Sequence, residues 1–370
     1  MKKEGTYWCF NKSMDMAAKL DNLFRKMIAI GASDLHLSSE MPPVWRIHGD
    51  MTPDKEIPPI PQSAIMELLE EISPKEKFEE FKKIGDMDFA YDLPGSGRFR
   101  VNLFMDRMGP GAVFRFVTSN IITFEDLGLS SAIEHMCNLP KGLVLVTGPT
   151  GSGKSTTLCA MIDYINRNKS AHILTIEDPI EFVHKNKKCL INQREIATHT
   201  GSFKKALRAA LREDPDIVLI GEMRDLETTE IAIETAETGH LVFGTLHTTT
   251  APSTVERIIQ QFPGDKQNQI RMMLSSSLKG VVAQALCKKA DGKGRVAAME
   301  ILVSNFAVAN LIREGKTHQI QSTMQTGSKE GMVLMNDILA DLVKKGIVHK
   351  EEAILKSTDK LDLSNKLEGY

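Results

Sequence analysis

The run Gly148-Pro149-Thr150-Gly151-Ser152-Gly153-Lys154-Ser155 fits G-x-x-x-x-G-K-[ST] at every fixed position, and Thr156 opens the segment after it. Glycines let successive backbone N–H groups turn inward as a nest for phosphate oxygens. A helix starting here would point its positive N-terminal end at the same anion. The pattern predicts that Gly148 to Thr156 cradle the phosphates, with Lys154 bridging the β- and γ-phosphates and the Ser155 hydroxyl holding Mg²⁺.

Turnover requires more than phosphate binding: a water must be positioned and an acid must stand near it. The buried-looking strand Ile217–Ile220 leads through Gly221 into Glu222, a carboxylate placed to polarise water or order Mg²⁺ through its water shell. A second strand, Ile173–Ile176, ends in Glu177-Asp178-Pro179, so its acids emerge at the same carboxyl edge, where ligands bind in open α/β sheets. Glu177 is the second catalytic candidate and an alternative to Glu222 for ordering Mg²⁺ through water, and Glu181 reads as a structural neighbour. The strand Leu241–Thr245 is bracketed by His240 and His247, with Thr245, Thr248 and Thr249 nearby. A neutral imidazole there can sense a γ-phosphate or hydrogen-bond a catalytic Glu, or simply be a satisfied polar group. Metal ligation by the histidines is disfavoured, since no Cys or third His has suitable spacing.

Arginines from another domain or subunit often meet the charge on a transferring phosphoryl group. Arg98, Arg100, Arg107 and Arg115 fall within one hairpin-like stretch, and Arg98 and Arg100 share a strand face. The alternative is a solvated basic face. Arg208 and Arg212 are read as helical i,i+4 neighbours in local ion pairs.

The elements that must position these residues divide the chain. Residues 1–13 read as a leader, 14–118 as a small α+β domain, 119–126 as a linker, 127–304 as an α/β domain, and 305–370 as its helical C-terminal region. In the first domain, Met16, Leu20, Leu23, Phe24 and Met27 recur at helical spacing before Gly31. Strands follow at Val44–His48, Phe99–Phe104 and Val113–Val117, with a charged helix at Ser63–Ile72. In the second, a helix at Ser130–Asn138 precedes the apolar run Leu143–Thr147. Strand-like runs then alternate with helical ones, which argues for a parallel sheet flanked by helices.

Composition limits the function classes. Among 370 residues, Lys plus Arg total 46 and Asp plus Glu 48, a formal charge of −2. This balance gives no overall attraction to nucleic acid or an anionic membrane. Cys9, Cys137, Cys159, Cys189 and Cys287 are scattered with no C-x-x-C pair, as expected of reduced thiols in a cytoplasmic protein. No apolar run approaches the ~18–20 residues needed to span a bilayer, and the N-terminus lacks a secretory apolar stretch.

Taken together, the motifs resemble the secretion ATPases of type II secretion and type IV pili, in particular their pilus-retraction branch. The supporting residues are Ala32-Ser33-Asp34-Leu35-His36-Leu37, the glycine-rich loop, Thr175 to Phe182 (the family's Asp box), Leu211 to Asp225 (its Walker B region) and Thr238 to Thr248 (its His box). The likeness runs from about Met14 into the C-terminal helices. It implies a homohexamer in which each subunit pairs a PAS-like N-terminal domain with a RecA-like P-loop ATPase domain. It also implies that ATP is the nucleotide, that some of Arg98, Arg100 and Arg115 reach its phosphates, and that Glu177, Glu222, His240 and His247 lie near nucleotide or catalytic water. The partners implied are an inner-membrane pilus platform protein and a paralogous pilus ATPase, with the protein attached peripherally to the inner face of the cytoplasmic membrane. Assembly and secretion members carry a four-cysteine zinc module after the His box, where this chain has only Cys287. The retraction signature A-I-R-N-L-I-R-E appears as Ala307-Val308-Ala309-Asn310-Leu311-Ile312-Arg313-Glu314, with Ala309 in place of its first arginine. A pilus-assembly or secretion ATPase, an accessory paralogue, a RecA-like nucleic-acid translocase and a nucleotide-switched adaptor remain as alternatives at this point.

Overall fold

The computed structural model describes residues 19–47, 49–117, 121–196 and 198–368. The expected leader, Met14, Met16, Cys9, His48 and the segment from Thr118 to Asn120 lie outside the described residues. The chain divides into two compact units, Met1–Ser119 and Asn120–Tyr370.

The first unit runs α1 (Lys19–Ala29), β1 (Asp34–Ser38), β2 (Val44–Ile47), β3 (Asp50–Pro53), α2 (Gln62–Ile72), α3 (Lys75–Ile84), β4 (Asp86–Leu93), β5 (Gly97–Asp106) and β6 (Gly109–Val117). Its six strands form an antiparallel sheet in the order β3-β2-β1-β6-β5-β4. Alternation decides which face is covered: Phe99, Val101 and Leu103 are fully buried against Phe24 of α1, Leu69 of α2 and Phe81 of α3. Phe24 stacks on Phe99 with ring centroids 4.2 Å apart. Arg98 and Arg100 therefore take the opposite face, as their spacing predicts. The sequence reading leaves β1, β3, β4 and α3 unassigned. β1 is a five-residue strand with two inward leucines, Leu35 and Leu37, and α3 hangs on Phe78 and Phe81 amid charged residues.

The second unit runs α4 (Ser131–Asn138), β7 (Gly142–Thr147), α5 (Lys154–Asn168), β8 (His172–Glu177), β9 (Leu190–Glu195), α6 (Phe203–Ala210), β10 (Ile217–Ile220), α7 (Leu226–Glu237), β11 (Leu241–Leu246), α8 (Ala251–Gln260), α9 (Gly264–Ser277), β12 (Leu278–Lys288), β13 (Arg295–Val303), α10 (Phe306–Arg313), α11 (Ile320–Thr326), α12 (Met335–Lys344), α13 (Lys350–Lys356) and α14 (Lys360–Leu367). Its sheet has the order β13-β12-β7-β11-β10-β8-β9, parallel except for the antiparallel edge strand β13.

Central strands buried on both faces must be apolar throughout, which is why β7 and β10 read as unbroken runs. Val144 and Val146 pack with α4 and α5, whereas Leu143 and Leu145 pack on the other face with residues of α6 to α10. Helices α12 to α14 form their own cluster against Cys287 and Ala298. The sequence reading finds four strands here and misses β9, β12 and β13. β9 is a polar edge strand (Leu-Ile-Asn-Gln-Arg-Glu), and the pairing of β12 with β7 shifts register between Leu278 and Gly280. Phe124 is only 5% exposed in the second unit's core, so the chain is already anchored before the expected linker ends. Helix α6 stops at Ala210, which leaves Arg212 beyond it; among the described residues neither Arg208 nor Arg212 forms an ion pair.

Candidate nucleotide site

β7 ends at Thr147 and α5 begins at Lys154, so the glycine-rich loop is the short bend between a buried strand and a helix N-terminus. Gly153 is the residue before the helix and has φ +89°, a conformation that side chains rarely adopt. Gly148 is required by space as well: a Cβ there would lie 2.3 Å from the Gln284 carbonyl and 2.6 Å from the Ser152 hydroxyl. The Lys154 ammonium donates to the carbonyls of Gly148 (2.8 Å) and Pro149 (3.2 Å). Burial lowers its proton affinity below the ordinary lysine value, with Glu222 and Glu181 opposing that shift. The Ser152 hydroxyl is buried without a hydrogen-bond partner. A glycine cradle, a helix N-terminus, a lysine and an unpartnered hydroxyl together suit a polyphosphate.

Parallel register brings the acids to this edge. Thr147 pairs with Leu246, Gly244 with Ile220, and Ile220 with Ile176, so the residues that follow emerge side by side. Glu177 ends β8 and accepts from the Thr175 hydroxyl (2.6 Å) and the Gln193 amide (3.2 Å). Burial raises its proton affinity against these bonds and that of the Glu181 backbone N–H. Gly221 lets β10 pass close to β8, since a Cβ there would approach the Glu177 Cα at 3.2 Å. Glu222 accepts from Arg224 Nε at 2.6 Å and from His247 Nε2 at 2.9 Å. Burial alone would raise Glu222, but Arg224 and His247 outweigh it and hold the carboxyl below its ordinary value.

His247 follows β11 and joins Glu222, whereas His240 precedes β11. The His240 carbonyl accepts from Gly142 N at the start of β7, and its ring Nδ1 faces the Thr235 carbonyl. Six strand residues at about 3.3 Å each separate it by roughly 20 Å from the phosphate edge of the same chain. Within the first unit, Arg115 pairs with the buried Asp34 at 2.7 Å and stands directly across from Arg100, and Arg98 lies 3.6 Å from Asp92. Arg107 falls in the turn between β5 and β6.

Three residues escape the sequence reading. Arg224 lies inside the Walker B region, where nothing in the pattern marks it for a role. Gln284 of β12 and Glu300 of β13 carry no motif: each is the one polar residue in an apolar run (281–287 and 296–303), and that isolation is the only signal that marks them. Gln284 is 3% exposed and Glu300 4%.

A doubly wound parallel sheet with a phosphate loop after β7 and two carboxylates at the same edge defines a RecA-like P-loop ATPase. A family model described as "Type II/IV secretion system protein" matches residues 12–362, and the chain belongs to that family. It is 51% identical over 323 residues to the type IV pilus retraction ATPase PilT of Pseudomonas aeruginosa, covering 87% of this chain and 93% of the relative. It is 38% identical to the type IV pilus ATPase PilU of the same organism over 345 residues, covering 93% and 90%. A crystal structure of the pilus retraction motor PilT with bound ADP superposes with a TM-score of 0.89 at 46% identity, covering 94% of this chain and all of that one. The chain is an ATPase.

Proposed function

We infer that this chain is an ATP-hydrolysing motor that retracts type IV pili and so drives twitching motility. The observation that carries the reading is the convergence of the Gly148–Thr156 loop with Glu177 and Glu222 at one sheet edge, in a chain 51% identical to a retraction ATPase over 87% of its length. Identity is higher to PilT than to PilU, which favours the principal motor over an accessory paralogue despite Ala309.

In this reading Lys154 and the loop amides orient ATP, and Glu177, whose burial raises its proton affinity, takes the proton of the attacking water. Glu222 stays ionised and, with Ser155, would hold Mg²⁺. When bound, that ion supplies neutralisation of the developing phosphate charge. His247 orients Glu222. Subunits assemble as a homohexamer in which some of Arg98, Arg100 and Arg115 supply positive charge to a nucleotide. The ring docks on an inner-membrane platform protein, alongside a paralogous pilus ATPase, at the cytoplasmic face of the membrane. Among the described residues no helix is long and apolar enough to cross a membrane.

The test combines chemistry and phenotype. Glu222→Gln should abolish multiple-turnover ATPase while retaining ATP binding, and deletion in the host should give excess surface pili without twitching. Normal turnover in Glu222→Gln refutes the catalytic assignment, and loss of pili on deletion favours an assembly motor. ATPase stimulated by single-stranded DNA and suppressed by salt would instead identify a translocase.

A further inference from the structure

We propose that Gln284 is a positioning residue for ATP: its side-chain amide holds the phosphate loop in the shape that receives the triphosphate. Strand β12 lies parallel to β7, with Ala283 in register with Thr147, so Gln284 stands beside the point where the chain leaves β7 for the loop. Its Nε2 donates to the Ser152 carbonyl at 2.7 Å, and its Oε1 accepts from the Thr157 hydroxyl at 2.8 Å. One planar amide thus ties the loop's second bend to the first turns of α5. The fit is close: a Cβ on Gly153 would lie 2.8 Å from the Gln284 Nε2, and one on Gly148 would lie 2.3 Å from the Gln284 carbonyl.

A buried glutamine can also be no more than a satisfied core residue. The identity of the partners argues otherwise. Both belong to the segment 152–157, and both are themselves buried, Ser152 at 3% and Thr157 at 1% exposure. The amide therefore restrains the loop and the start of α5, where the N–H groups that face phosphate reside. Without it the Ser152 carbonyl loses its buried donor, and the loop must reorganise before it can accept an anion. Restraining a binding loop beforehand lowers the cost of ordering it on binding, an effect that appears in substrate affinity.

The experiment uses the full chain and follows steady-state ATPase, ATP binding by a fluorescent ATP analogue, and melting temperature. Gln284→Leu removes both bonds. Gln284→Glu, when ionised, keeps the acceptor for Thr157 but cannot donate to the Ser152 carbonyl. Thr157→Val removes one bond alone. Both Gln284 variants should raise KM and the analogue's Kd about tenfold, with kcat at saturating ATP within about threefold of the parent. Thr157→Val should raise KM by about threefold, and adding it to Gln284→Leu should produce no further rise, because both changes break the same tie. If Gln284→Leu fails to fold, the nearly isosteric Gln284→Glu and the single change Thr157→Val report the same split. KM and Kd within about twofold of the parent, with loss confined to kcat and melting temperature, would overturn the proposal and leave Gln284 a packing residue.

Discussion

Glu300 offers the sharpest test of how the nucleotide domain is tied together. Its carboxylate, 4% exposed, accepts from Ala251 N at 2.7 Å through one oxygen and from Met335 N at 3.2 Å through the other. These are the first residues of α8 and α12, so one side chain satisfies donors at two helix starts that have no intrahelical partner. Truncation in Glu300→Ala strands two buried N–H groups at about 1–3 kcal/mol each, partly offset by no longer burying a charge. A net loss of about 2–4 kcal/mol follows. That corresponds to about 30- to 1,000-fold faster amide exchange across α8 and the start of α12. Glu300→Gln should be far milder at neutral pH, within about 1 kcal/mol, since its oxygen still accepts one bond and no charge is buried.

The sign of the pH effect follows from burial, which raises Glu300 above its ordinary value of 4.5 against the two backbone bonds. A carboxyl raised in the folded state contributes stability that is complete below its unfolded value and is lost as pH rises through its folded one. Parental exchange in α8 should therefore quicken as pH climbs from about 4.5, after correction for intrinsic exchange, and Glu300→Gln should flatten that trend. Hydrogen exchange with mass spectrometry reads both. Protection of α8 in Glu300→Ala equal to that of the parent would refute the reasoning.

Two further outcomes follow from the same sheet edge. Arg224→Ala removes the stronger of the two partners that depress Glu222, so the acid limb of the kcat–pH profile should move to higher pH as the carboxyl protonates earlier; an unmoved limb would show that Glu222 ionisation does not govern turnover. His247→Ala should lower kcat at least about tenfold, whereas His240→Ala, on the opposite edge, should leave kcat within about threefold; an equal loss would mean that His240 serves another subunit's site.

What could be read from the sequence was whatever is local in it. The phosphate loop is a contiguous pattern, and buried parallel strands are contiguous apolar runs, so Gly148–Ser155, β7, β8, β10 and β11 are all legible. Strand polarity also carries information that the bracketing of β11 by two histidines obscures. In a parallel sheet the residue before a strand lies at the edge opposite the residue after it, so only His247 can share an edge with Gly148 in one chain. Gln284 was hidden for a different reason. Its function depends on β12 sitting beside β7, a pairing 136 positions apart at Val281 and Leu145 that nothing local announces. Arg115 shows the limit from the other side: its charge suggested a phosphate partner, yet within its own unit it is committed to Asp34, 81 residues earlier.

The two carboxylates at the site are chemically unlike although their sequence contexts are alike. Each follows an apolar strand of the same sheet, and on that basis either could have been the base. The environments divide them. Glu177 sits where burial raises its proton affinity, with neutral donors from Thr175 and Gln193 and, among the described residues, no ion-pair partner. Glu222 is pinned by Arg224 and His247 and held below its ordinary value. A group that must accept a proton from water gains from raised affinity, and a group that must hold positive charge gains from staying ionised. The neighbours of each carboxylate thus favour Glu177 as base and Glu222 as the fixed negative charge.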